Sequence, residues 1–206
     1  MTRSTKNTVP WTLAVLLGAA TWLGPEPARA ADEEFPPTRV IADKVLLRNG
    51  VGLCEWGMFA IDLYRAALYL ERVSSDAAEV LASEQVKRIE LVFSRDLSRS
   101  QMQRAYRAAF AANAGDGLSA LADRIDRLCE WLSSVRAGDR VTFTCVPGSG
   151  VQVEIRGERL GTLTGDDFAR ATVALYIGAH PPDPQLKRGL LGEHPRSGRA
   201  AEETRD

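Results

Sequence analysis

The sequence predicts an α+β domain with helices packed on one face of an antiparallel sheet, because runs of strands flank a run of helices instead of alternating with them. Three stretches carry this reading. Val141, Phe143 and Cys145 alternate with Thr142 and Thr144, the chain turns at Pro147-Gly148-Ser149-Gly150, and Val151, Val153 and Ile155 alternate with Gln152, Glu154 and Arg156. A further turn at Gly157-Glu158 admits a short strand over 160–164, which completes a three-stranded meander. Before it, Ser98 and Gln101 form a capping-box signature, and Met102, Ala105, Tyr106, Ala109, Phe110 and Asn113 recur at helical spacing up to Gly115. A second helical stripe follows in Leu118, Leu121, Ile125, Leu128, Leu132 and Val135, opposite Asp123, Arg127 and Glu130, with Gly138 as its expected stop.

The remaining elements fill in around these. Val40, Ile41, Val45, Leu46 and Leu47 form two short apolar groups, read as an opening hairpin or one interrupted strand ending at a turn at Asn49-Gly50. After Gly57 the run 58–70 is apolar on both faces, with Tyr64 and Tyr69 included and only Asp62 and Arg65 charged. It predicts a central strand, with a helix as the competing reading because of Ala60, Ala66 and Ala67. Ser74, Ser75 and Asp76 offer an N-cap for a short helix over 77–83. In 88–94, Ile89, Leu91 and Phe93 point one way and Arg88, Glu90, Val92 and Ser94 the other, the pattern of a half-buried strand. Thr164 or Asp166 is expected to cap a helix in which Phe168, Ala171, Leu175 and Tyr176 share a face, ending at Gly178. Pro181, Pro182 and Pro184 then lead into a short helix over 185–191.

Residues 1–30 read as a secretory signal: Arg3 and Lys6, an apolar stretch from Trp11 to Leu23, and small residues at Ala28 and Ala30, with cleavage expected after Ala30. The apolar stretch falls short of the ~20 residues that cross a bilayer and contains Gly18. A periplasmic or secreted protein is therefore expected, with residues 31–38 a flexible lead-in, 39–192 one domain, and 193–206 a polar, disordered tail. Loss of Arg3, Lys6, Glu26 and Arg29 takes the formal net charge from −1 to −3. The basic residues are scattered, which argues against nucleic acid as a partner. Cys54, Cys129 and Cys145 match no zinc spacing, and His180 has no partner at ligand spacing, so neither a metal nor a cofactor is expected. A Cys129–Cys145 bridge requires that helix to lie on that strand; otherwise each cysteine packs as a small apolar residue.

Asn49-Gly50-Val51-Gly52-Leu53, then 59–70 with Tyr64 and the ending Ala67-Leu68-Tyr69-Leu70, resemble the chalcone isomerase-like family of secreted bacterial proteins. So do the Pro147-Gly148-x-Gly150 turn, Leu175-Tyr176-Ile177-Gly178, and Leu186-Lys187 with Leu190-Leu191-Gly192, over about 39–192 in all. The resemblance implies an open-faced antiparallel sheet with helices on one face and an apolar cleft between. In the family's plant enzymes a phenolate oxygen adds to an enone, and a cation and hydroxyl donors steady the moving negative charge. Here Cys54 stands where those enzymes carry Arg after Gly-x-Gly-x, Tyr64 falls near their hydroxyl residue, and Met102 and Ala109 match their helix Tyr and Asn. Tyr106 lies one turn away from Met102. These departures argue against the ring-closing reaction.

The reading that follows is a non-catalytic module whose cleft, lined by Cys54, Tyr64, Tyr69, Met102, Tyr106 and Ala109, holds a small apolar or amphipathic ligand. Non-enzymatic relatives of the fold imply a fatty-acid-like ligand. Two alternatives stand beside it: an isomerase or lyase using Arg48, Arg65 or Arg95 as a displaced cation, and a structural or interaction protein of the cell envelope whose cleft is filled by its own side chains.

Overall fold

The computed structural model describes residues 34–41, 43–57 and 60–193. The expected signal segment, its cleavage point, residues 31–33 and the tail from 194 lie outside the described residues. Seven strands, β1 (Thr38–Ile41), β2 (Lys44–Trp56), β3 (Ile61–Leu70), β4 (Lys87–Phe93), β5 (Arg140–Val146), β6 (Gly150–Ile155) and β7 (Glu158–Leu163), form one antiparallel sheet in which spatial order equals sequence order. The helices are α1 (Ala77–Ala82), α2 (Arg99–Ala114), α3 (Leu118–Trp131), α4 (Asp166–Ile177) and α5 (Pro184–Leu190). One core joins the inner face of the sheet to the helices, through Leu68, Ile89, Leu91, Phe143 and Val153 on the strands and Met102, Phe110, Leu128 and Phe168 above them. Among the described residues no helix is long and apolar enough to cross a membrane.

Asn49-Gly50 is not the turn that the sequence suggests. The chain reverses earlier, at Asp43 with φ 60°, and β2 runs straight through Asn49-Gly50 as a bulge: Arg48 pairs with Tyr69 and Gly50 with Leu68, so Asn49 is the extra residue. Side chains alternate along a strand, so one inserted residue exchanges the faces beyond it. Leu46 consequently belongs to the outer-face cluster, whereas Cys54 belongs to the inner core. What favours the bulge is the docking of α5. Asn49 Nδ2 donates to Leu190 O (2.8 Å) and Ser74 O (3.0 Å), and its Oδ1 accepts from the Ser74 N–H (2.8 Å). Gly50 and Gly52 let the helix backbone lie directly on the strand, since a Cβ on Gly50 would stand 2.1 Å from Gly189 O and one on Gly52 2.5 Å from Leu186 O.

The outer face also departs from the pattern read in β4, which is not half-buried. Glu90 is 0% exposed. Arg39 meets it with two hydrogen bonds (2.8 and 2.9 Å), Arg88 with one at 2.8 Å, and Arg140 with another. The cover comes from residues expected to be a flexible lead-in. Over 34–37 the chain is held to the sheet: Phe35 is fully buried under Arg140, Tyr69 Oη donates to Pro36 O (3.0 Å), and the Arg48 N–H donates to Pro37 O (2.8 Å). Burial raises the cost of the Glu90 charge, but the hydrogen bonds from Arg39 and Arg88 outweigh it and hold the carboxyl below its ordinary range.

On the inner face, the Ser98–Gln101 capping box forms as expected and starts α2. The second stripe is shorter than its spacing suggests: α3 stops at Trp131, and Val135 instead exchanges two backbone hydrogen bonds with Leu97 (2.8 and 2.9 Å), closing the α2–α3 hairpin at its base. Neither Thr164 nor Asp166 caps α4; its N-cap is Gly165, and Asp166 Oδ1 accepts from the Gly148 N–H instead (2.8 Å). All three cysteines are buried free thiols, with Cys129 Sγ directed at Gln103 O and Cys145 Sγ at Ala169 O.

Two measurements test this frame. Gly50→Ala is expected to cost about 3 kcal/mol in urea unfolding, by overpacking β2 against α5, whereas Gly117→Ala, with nothing within 4 Å of the added carbon, should change stability by about 0.5 kcal/mol or less. Because the folded Glu90 pKa lies below its ordinary 4.5, its contribution is present above that value and lost as pH falls through the lower folded one. Glu90→Gln should therefore cost about 2–3 kcal/mol near neutral pH, at the low end for a buried pair because its arginines reach solvent. The gap from wild type should close in acid; a gap independent of pH would contradict the ion cluster.

Candidate functional site

A cleft of about 390 Å³ opens between the inner face of β2–β4 and helices α2 and α4. Its floor is set by strand register. Cys54 on β2 stands opposite Tyr64 on β3, and Tyr64 opposite Phe93 on β4, so the three side chains form a row across one face. The register between β2 and β3 shifts again after Cys54, which leaves Leu63 as an extra residue, and consecutive Leu63 and Tyr64 both line the cleft. From above, α2 contributes Met102 and Tyr106, one turn apart on its buried face, with Ala105 and Ala109 beside them. Leu175 and Tyr176 of α4 close the inner end. The rim is exposed and polar, with Gln101 and Arg104 on α2.

The floor is apolar with a row of weak acids. Tyr106 Oη and Tyr176 Oη lie 3.1 Å apart as a buried pair, and Tyr64 stands across the ladder from Cys54, whose Sγ is directed at Glu55 O. Tyr106 and Tyr176 each pack against Phe143, at 5.6 and 6.4 Å between ring centroids, which fixes where their hydroxyls point. Burial pushes the Cys54 thiol up to about 11, the neighbouring Tyr64 hydroxyl acts against this, and Asp183 and Glu55 add to it. Burial likewise raises Tyr64, Tyr106 and Tyr176 well above the ordinary phenol value. The Asp183 carboxylate acts on both Cys54 and Tyr64, and that of Glu55 on Cys54. Asp183 is itself placed by α5, whose N-cap it is: Oδ1 accepts from the Gln185 N–H (2.7 Å) and Oδ2 from the Glu55 N–H (3.0 Å). A row of neutral donors and acceptors in an apolar trough can orient a ligand by one or two hydrogen bonds.

Five of the six residues singled out in the sequence, Cys54, Tyr64, Met102, Tyr106 and Ala109, line this cleft. Tyr69 does not. It lies five residues beyond Tyr64, an odd number, so strand alternation sends it to the outer face, where it packs with Phe35 and Leu46 beneath Arg39. The three arginines considered as a displaced cation also lie elsewhere. Arg48 donates to Phe35 O and Arg65 pairs with Glu34, both on the outer side, and Arg95 donates to Asp62 O at the surface. Sequence reading missed Leu63, Leu91, Phe93, Leu97, Arg104 and Tyr176. Tyr176 was legible as a helix-face residue but not as the partner of Tyr106, since 70 positions separate the two.

A family model described as chalcone isomerase-like matches residues 27–192. The chain belongs to the chalcone isomerase-like family. The crystal structure of an Arabidopsis thaliana fatty-acid binding protein superposes with a TM-score of 0.61 over 76% of this chain and 90% of that one, at 18% identity. At that identity the two share the chalcone isomerase-like fold. No curated protein sequence matches. Cys54, on which the resemblance placed the departure from the plant enzymes, is a buried thiol opposite Tyr64.

The thiols supply a test of how closed the floor is. With Cys54 raised to about 11 and Cys145 to about 12, and Cys129 also buried, native protein at about pH 8 should resist a disulfide thiol reagent, while all 3 cysteines titrate in urea. Rapid stoichiometric labelling of Cys54 in the native state would contradict this geometry.

Proposed function

We propose that the mature protein is a periplasmic binding module that holds a small apolar or amphipathic ligand, with a fatty-acid-like chain, in the cleft between β2–β4 and α2, without transforming it. The observation that carries this reading is the cleft itself: about 390 Å³, with apolar walls from Leu63, Leu91, Phe93 and Met102 and a hydroxyl row at its floor. A volume of that order falls in the range of small-ligand sites, and a core filled by its own side chains would leave no such space. The likeness in fold to a fatty-acid binding protein supports the ligand class. The charges support binding over ring closure, because a growing enolate at this floor would meet the carboxylates of Asp183 and Glu55 with no guanidinium to offset them among the described groups acting on Cys54 and Tyr64. The signal-like residues 1–30 support export to the periplasm.

Native mass spectrometry of protein prepared without detergent, followed by titration with medium-chain lipids, tests the reading. A bound lipid mass or saturable uptake at one site is the expected result. Ala105→Trp, on the exposed side of α2 at the cleft, should fill the trough and weaken uptake at least about tenfold with little change in stability. An apo mass that no lipid alters, or uptake indifferent to Ala105→Trp, would remove the cleft as the site.

A further inference from the structure

Resting on the binding reading above, we propose that the ligand presents a neutral hydroxyl or carbonyl group, not a carboxylate, to the floor of the cleft. The floor is equipped for a neutral oxygen. Tyr106 and Tyr176 share one hydrogen bond at 3.1 Å, and two hydroxyls joined by one bond leave one hydrogen to donate elsewhere. Tyr64 also lines the cleft, opposite Cys54 on the β2–β3 ladder, and its hydroxyl adds a further neutral donor and acceptor.

The charges around the cleft then separate a neutral head group from an anionic one. Behind Cys54, the Asp183 carboxylate is 8% exposed, and both of its oxygens are tied to backbone N–H groups, one of them that of Glu55, the residue next to Cys54. Glu55 itself lines the cleft, adding a second acidic group. Among the described lining residues the one cation is Arg104, exposed on the solvent side of α2. A carboxylate carried to the floor would be desolvated close to the buried Asp183 carboxylate, while the one cation among the described lining residues, Arg104, is on the solvent side of α2. Burial, with Asp183 adding to it, already resists ionisation of the Cys54 thiol and the Tyr64 phenol. An alcohol, aldehyde or ketone loses nothing there, and its chain lies along Leu63, Leu91 and Met102.

Titration calorimetry with a matched pair, dodecanol and dodecanoate below their aggregation limits, reads the difference directly. At about pH 8, dodecanol is expected to bind at least about tenfold more tightly. Asp183→Asn keeps an acceptor for the α5 N-cap and removes the charge; it should raise dodecanoate affinity severalfold and leave dodecanol unchanged. Should that variant fold poorly, lowering the wild type toward about pH 5 protonates the ligand and should narrow the gap in the same direction. Dodecanoate binding as tightly as dodecanol, with affinity lost in Arg104→Gln, would overturn the proposal by placing a carboxylate at the rim, while leaving the cleft as a binding site. Failure of both ligands to bind would overturn the binding reading and this proposal with it.

Discussion

Asn49 is one residue too many for the ladder between β2 and β3, and the cleft depends on it. Before the bulge, even-numbered side chains of β2 face outward; after it they face the helices, which brings Cys54 opposite Tyr64. The same asparagine fixes α5 through Leu190 O, and the bare backbones of Gly50 and Gly52 let that helix lie flat on the strand. Because α5 begins at Asp183, its docking also delivers a buried carboxylate behind the cleft floor. Helix position, face assignment and local field are thus consequences of one inserted residue rather than three separate features.

The two faces of the sheet solve opposite problems. The inner face buries apolar side chains against helices and leaves a trough where they part. The outer face buries a carboxylate instead, with Arg39, Arg88 and Arg140 gathered around Glu90 and Phe35 pressed beneath Arg140. A buried charge is tolerable only when its acceptor sites are filled, and here both oxygens are. The arginines of the domain are therefore largely engaged away from the trough, which leaves the cleft floor to neutral and acidic groups.

Much of this was legible in the sequence where local rules decide. Period-two alternation set out β5 and β6, the tight turn set off β7, and the Ser98–Gln101 pair located the start of α2 to the residue. The α+β order and the helices on one face followed from the order of those patterns. Local rules failed where a distant contact decides. Asn49-Gly50 has the composition of a turn, and only the arrival of α5, some 140 residues later, makes it a bulge. Glu90 reads as a solvent-facing position in an alternating strand, and nothing near it in sequence announces the three arginines. Tyr69 was placed with Tyr64 by residue type, although parity alone sends it to the other side. The Tyr106–Tyr176 pair joins two helices whose relation no periodicity encodes.

The order of the sheet carries a last consequence. Every strand pairs with its neighbour in sequence, yet β4 and β5 are joined only after the whole α2–α3 hairpin has intervened, and that hairpin is sealed at its root by Leu97 and Val135. It is an excursion between two strands that pair directly with each other, and it brings Met102, Phe110 and Leu128 back onto the sheet as part of the core. Ala105, exposed on α2 at the mouth of the trough, belongs to no rung of the sheet, so the roof there can change shape while the strand ladder stays as it is.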